Sequence, residues 1–478
     1  MKRFFMLVAA AATLVGCCNK AADKTTQQEA NVWVKAAEAC EYDKYNSVVY
    51  ELNIRQATEE GTFAAAERYL PELKSMGVDI VWLMPISPIG VDGRKGTLGS
   101  YYSIIDYKAV NPEFGTMENF KSFLATAHDL GLKVILDWVA NHTSRDAKWW
   151  QEGKKDWYVM DDETGLPIVE YDWTDIAKLN YNNFEMRAAM TDALRFWVEL
   201  GIDGFRCDVA MNVPGDYWKG AWEELKAINP DLYLLAEGEE EWLHESGFDA
   251  TYAWELHHIF NAMAKGGSET KNVAGDGMIK TDAKGVKDLK EYIARDDEKY
   301  PAPAMRLMFT SNHDENSWAG TEFERMGDAY RAFATLTFVL PKSQPLIYTG
   351  QEIGLDRRLE FFEKDSVKEL VDTEYGKEFR TYYKNMAAFR HANKVLAAGA
   401  NVAPMVYMEG APESVLAFTR EKEGNKVVAL INFSAEPVTV TLTEAVAGDY
   451  ICPCGKEVKL VAGEQMELGA WACVVAAK

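Results

Sequence analysis

Cysteine is scarce in this chain. There are seven in 478 residues, scattered from Cys17 to Cys473, which is no disulfide framework. A structural zinc centre is excluded too, because it needs four ligands. The nearest grouping, Cys452-Pro-Cys454 with Cys473, offers three sulfurs and no histidine. These three read as core or loop cysteines, with a bridge from Cys452 or Cys454 to Cys473 left open. Positive charge is also short: 51 Lys and Arg stand against 74 Asp and Glu, a net charge of −23, and no basic cluster stands out. Nucleic acid and anionic membrane surfaces are poor partners for such a chain, whereas a neutral sugar is indifferent to its acidity. No Gly-x-Gly-x-x-Gly or Walker sequence follows the first apolar run, which argues against a nucleotide fold.

What is present begins with a leader. Met1 to Gly16 joins a basic head to an apolar stretch too short to span a bilayer, the pattern of a secretory signal. Leu14-Val15-Gly16-Cys17 is similar to a bacterial lipobox, so cleavage is expected before Cys17, with a lipid on that cysteine. Residues 17–45 then read as a tether. The expected location is the bacterial envelope, on its periplasmic side or at the cell surface, with the anchor as the sole membrane contact.

Eight short apolar runs recur: Ser47–Ile54, Val78–Met84, Leu132–Trp138, Gly201–Asp208, Leu232–Glu237, Phe248–Tyr252, Met305–Asn312 and Pro345–Thr349. They are apolar nearly throughout, as strands covered on both faces should be. Helix-like segments lie between them: Phe63–Met76, Met117–Leu130, Asn183–Leu200, Trp218–Ile228 and Gly327–Leu340. Eight alternations predict an α/β chain folded as a (β/α)8 TIM barrel over residues 46–394. Residues 141–181 interrupt the alternation and read as an excursion on the barrel's active face. From residue 395 to 478, short alternating strands predict a small antiparallel β-sandwich domain.

In such a barrel, chemistry belongs at the C-terminal strand ends. Strand three ends Asp137-Trp-Val-Ala-Asn141-His142, strand four Arg206-Cys-Asp208, strand five Glu237, and strand seven Asn312-His313-Asp314. Two-residue alternation puts Arg206 beside Asp208 on one face, where the guanidinium is expected to depress the carboxyl's pKa. Glu237, next to apolar Ala236 and near other acids, is expected to be raised. An ionised and a protonated carboxylate facing one bond are what retaining glycoside hydrolysis requires. Sugars also present apolar C–H faces, and one or two of Trp82, Trp138, Trp149, Trp150, Trp157 and Trp173 are candidate platforms for them.

This constellation resembles the α-amylase family, glycoside hydrolase family thirteen, over roughly residues 46–478. Tyr101–Thr116 and Pro345–Glu352 are close to family segments. The resemblance implies that Asp208 is the nucleophile, Glu237 the general acid/base and Asp314 a third carboxylate gripping sugar hydroxyls. It implies that Arg206 supports the nucleophile, that His142 and His313 bind the sugar being cleaved, and that Tyr102 stacks beneath it. The substrate implied is an α-glucan, with no redox cofactor or nucleotide required. Two departures stand out. Met211-Asn212 replaces the Lys-His of typical endo-acting members, and Asn180 replaces an aspartate that ligates calcium, which weakens a hard-cation site. Asn141 remains the candidate ligand for a structural calcium ion. The short excursion favours maltodextrins or cyclodextrins over long chains. Alternatives within the family are α-glucosidase, neopullulanase- or cyclomaltodextrinase-like and 4-α-glucanotransferase activity; outside enzymes, a silent glycan-binding lipoprotein would be expected to have lost one of the three acids.

Overall fold

The computed structural model describes residues 31–267, 269–273, 277–367 and 373–478. The leader and Cys17 lie outside the described residues. Eight parallel strands close into a barrel: β1 Val49–Leu52, β2 Ile80–Leu83, β3 Lys133–Trp138, β4 Gly204–Cys207, β5 Tyr233–Ala236, β6 Ala250–Tyr252, β7 Met305–Met308 and β8 Ser343–Tyr348. Each pairs with its sequence neighbour, and β1 closes the ring against β8 through Val49 opposite Leu346. Alternation divides each strand. Ile80, Trp82, Ile135, Leu235 and Leu307 fill the barrel interior, while Val81, Leu83, Val134 and Leu234 pack outward under the helices. All eight apolar runs therefore became barrel strands.

The helices follow their sequence signals closely. Met117–Asp129 starts on a Thr116–Asn119 capping box and buries Phe120, Phe123, Leu124 and Ala127. The segment expected as one helix over Phe63–Met76 is two, Phe63–Glu67 and Leu70–Met76. Pro71 is the reason, since it has no N–H to return to the carbonyl of Glu67 and its ring crowds that turn. Gly77 ends the second helix at φ 90°, where an added Cβ would lie 2.8 Å from that of Ala387. Among the described residues no helix is long and apolar enough to cross a membrane.

After β3 the chain leaves the barrel, forms the antiparallel pair His142–Ser144 and Ile176–Lys178, and returns. The C-terminal part builds a six-stranded antiparallel sheet and a two-stranded one around their own core of Val428, Leu430, Val440, Leu460 and Val474. Buried Arg420 ties this part to the barrel by donating to the carbonyls of Val339 and Leu340 at a helix C-terminus. Cys473 is a free thiol, so the bridge left open from the sequence is not formed.

The stretch read as a tether is docked from Asn31 onward. Helix Val32–Ala37 lies against the barrel's last helix, Glu374–Ala392. Trp33 sets its ring edge-on to Phe389 at 5.3 Å and donates to the carbonyl of Cys452. The Asn31 amide adds bonds to Asn385 Oδ1 at 3.0 Å and to the carbonyl of Pro453 at 2.6 Å, so a polar and an aromatic side chain together seat the segment.

Candidate active site

Arg206 is wholly buried inside β4 and is the hub of the strand-end acids. Its Nη1 donates to Asp208 Oδ1 at 3.0 Å and to Asp137 Oδ1 at 2.9 Å. Its Nη2 lies 2.9 Å from Glu237 Oε2, an ion pair off the N–H direction. Asp208 and Glu237, from adjacent strands, thus share one guanidinium and one compartment. Asp137 is a fourth acid that sequence reading left unassigned. Only the register of the folded barrel shows its partner: Asp137 sits directly opposite Arg206 in the β3–β4 pairing.

The expected depression of Asp208 does not hold. Burial, followed by the Glu237 charge, pushes its carboxyl well above the usual range, and Arg206 offsets only part of this. Asp137 is likewise raised, by burial, against Arg206 and His313. Asp208 and Asp137, two carboxylates on one cation, keep a proton that isolated acids would have shed, and that proton belongs to the pair rather than to one member. Glu237 is not in the apolar setting its Ala236 neighbour suggested. Besides Arg206 it receives the Val209 N–H at 2.9 Å. Val209 delivers that N–H from a left-handed conformation, φ 35° and ψ 48°, a strained position for a β-branched residue beside a cluster of chemistry-bearing groups.

The remaining residues surround this cluster. Asp314 is the most open acid, with 34% of its side chain exposed, and Oδ2 lies 3.5 Å from His313 Nε2. His313 stacks on Tyr102 with centroids 5.4 Å apart. The Tyr102 hydroxyl is held by Asp137 Oδ2 at 3.0 Å and His313 Nε2 at 2.8 Å. Burial lowers His142 to about 4, so it is neutral. Its Nδ1 accepts from the Asn141 amide at 3.2 Å, which leaves the proton on Nε2. Of the candidate tryptophans, Trp82, Trp138 and Trp157 are buried; Trp173 lies against His142, 5.5 Å between ring centroids. Sequence reading missed Trp318, 53% exposed and packed on Phe361, which itself stacks on Tyr102. Beside the ends of β4 and β5 opens a cleft of about 590 Å³, lined by Met211, Asn212, Pro214, Lys219, Trp242 and Glu245.

The residues around Asn141 do not fit calcium. The Asn141 amide donates to Glu170, and the Lys178 ammonium is ion-paired with the other oxygen of the same carboxylate. An arriving cation would find its carboxylate taken and a positive charge already there. Asn180 turns its amide to the carbonyl of Asp156, and Asp161, in the acidic loop, spends its oxygen on the backbone of Glu163 and Thr164. Among the described residues, no three His, Cys, Asp or Glu side chains converge as metal ligands.

Known proteins resemble the chain over most of its length. Residues 54–401 match the family described as "Alpha amylase, catalytic domain". The chain is 29% identical over 429 residues to "Alpha-amylase MalA" of Haloarcula japonica, covering 85% of this chain and 59% of that protein. It is 26% identical to a maltogenic alpha-amylase of Bacillus acidopullulyticus, covering 86% and 69%. The chain thus spans about three-fifths of the first of these relatives. Among solved structures, an alpha-amylase from Lactobacillus plantarum superposes with a TM-score of 0.77 at 28% identity, covering 91% of this chain and 99% of that one. A maltogenic alpha-amylase from Thermotoga neapolitana gives 0.78 at 26%, with the same coverage.

Proposed function

The chain belongs to the α-amylase family of glycoside hydrolases, and we propose that it cleaves α-1,4-glucosidic bonds of starch-derived maltodextrins with retention of anomeric configuration. The observation that carries this reading is the shared guanidinium: Asp208 and Glu237 meet on Arg206, with Asp314 alongside through His313. In this mechanism Glu237 gives its proton to the glycosidic oxygen as the bond to the anomeric carbon breaks. Asp208 attacks that carbon and forms a glycosyl-aspartate. Glu237, now ionised, takes a proton from water, which displaces Asp208 and regenerates both groups. Asp314, His313 and neutral His142 hold hydroxyls that bind more tightly as the ring flattens, and Tyr102 supports the sugar's apolar face.

A second reading, transfer to a sugar acceptor, draws support from the cleft at Met211, Asn212 and Trp242. Hydrolysis and transfer share the covalent intermediate, and a half-apolar acceptor side favours a sugar over water. The relatives named neopullulanase and cyclomaltodextrinase keep α-1,6 bonds and cyclic substrates within this reading. Proton NMR of the first products from maltoheptaose tests both. Initial α-anomer supports retention, products longer than the substrate indicate transfer, and initial β-anomer or no cleavage refutes the proposal. A lipid on Cys17 would hold the enzyme at the envelope surface.

A further inference from the structure

Glu51 is the one charged residue of β1, and nothing in the cleavage mechanism uses it. It points into the barrel, paired with Trp82 on one side and Tyr348 on the other. Its carboxylate is fully buried, a costly position for an acid without a partner. Oε1 lies 2.5 Å from His313 Nδ1. Oε2 accepts no hydrogen bond among the described residues. His313 is also buried, stacked on Tyr102 and edge-on to Trp82 at 6.0 Å.

We propose that Glu51 is a positioning residue for His313, holding it as an imidazolium whose Nε2–H donates to the Tyr102 hydroxyl, with Asp314 Oδ2 3.5 Å away. The proposal rests on the glucan-cleavage reading for its effect on turnover. The protonation follows from donor bookkeeping along one hydrogen-bonded chain. With Asp137 ionised, its Oδ2 accepts from Trp82 Nε1 at 3.2 Å and from the Tyr102 O–H, so the tyrosine oxygen accepts from His313 Nε2. Nε2 therefore carries a proton. Nδ1 faces a carboxylate at 2.5 Å and carries one as well. The groups facing the ring agree: Glu51 from β1, Asp314 beyond β7 and Asp137 on β3 are acids, Tyr102 and Tyr348 are neutral, and Arg206 on β4 alone opposes. Burial works against the charge, yet the two flanking acids raise the imidazole to about 9. A charged donor makes a stronger bond to the Tyr102 hydroxyl than a neutral one does. The same chain runs from Glu51 through His313, Tyr102 and Asp137 to Arg206, so it also braces the guanidinium that Asp208 and Glu237 share.

The test uses full-length protein carrying ¹⁵N-histidine, with His313→Asn to assign the ring signals. In the wild type both ring nitrogens of His313 are expected protonated at pH 7, deprotonating near pH 9. In Glu51→Gln the midpoint is expected to fall by about one pH unit or more. On maltodextrins, Glu51→Gln is expected to lose roughly tenfold in kcat/KM, with the alkaline limb moved toward neutral pH. A neutral His313 in the wild type at pH 7 overturns the proposal, as does an unchanged titration in Glu51→Gln. The wild-type titration decides even if the variant does not fold. A charged His313 in a protein that cleaves no glucan would instead refute the cleavage reading and leave the Glu51–His313 coupling standing.

Discussion

Arg206 Nη1 stands 3.0 Å from Asp208 Oδ1, in a barrel interior from which the guanidinium is shielded completely. The arginine is fixed by Asp137 and reaches two acids with two nitrogens, a fork that a single ammonium cannot reproduce. Arg206→Lys should therefore fold and lose about 10²–10³ in kcat. Asp208→Asn should lose about four orders of magnitude or more while still binding maltodextrin. Steady-state kinetics with calorimetric binding separates the two effects; an Asp208→Asn enzyme with normal turnover would place the nucleophile elsewhere.

Trp173, set against His142 at the margin of the excursion, should act on binding alone. Trp173→Ala is expected to raise KM about tenfold with kcat little changed, the effect of one lost aromatic–sugar contact. A fall in kcat at constant KM would show that the ring orients His142 instead.

Two buried groups should give opposite pH dependences of stability. His244 is lowered to about 4, chiefly by burial, so the unfolded chain takes up its proton first and stability falls as pH drops from about 6.5 to 4. Glu322 is raised to about 7 by burial, so the folded state keeps its proton and stability falls as pH rises from about 4.5 to 7. The two slopes oppose each other in one window. Urea denaturation across pH 4–7 should show Glu322→Gln steepening the acid-side loss and His244→Asn reversing it. Parallel curves for wild type and both variants would mean that neither group titrates differently on folding.

The Asn141–Glu170–Lys178 joint predicts indifference to chelation. EDTA should leave the wild-type denaturation midpoint unchanged, whereas Lys178→Ala should cost about 2–3 kcal/mol by stranding a largely buried carboxylate. A wild-type midpoint that drops in EDTA would disprove it.

Lipidation at Cys17 is checked by fractionation. The wild type should partition with membranes and Cys17→Ala should be released, with equal specific activity in both. Equal partitioning of the two would remove the anchor.

The barrel was legible because eight strands buried on both faces leave eight apolar runs, and the acids were legible because each stands at the end of one. Partnership across strands was not. Nothing local joins Glu51 to His313 or Lys178 to Glu170, since those pairs exist only once the ring closes and the excursion folds back. The pKa of Asp208 was misjudged for the same reason. The sequence displays its arginine two residues away but not the burial and the Glu237 charge that outweigh it. Trp318 escaped notice because one exposed ring in the five-residue helical segment Glu315–Ala319 is too short a pattern to show periodicity.

Lys178 is part of the covalent chain, and that changes what the excursion depends on. A dissolved ion occupies its seat for a fraction of the time set by its activity in the medium, and rinsing or dilution can empty it. A tethered ammonium has no such binding isotherm. The wall beside His142 should therefore be complete as soon as the chain folds, in hard water or soft.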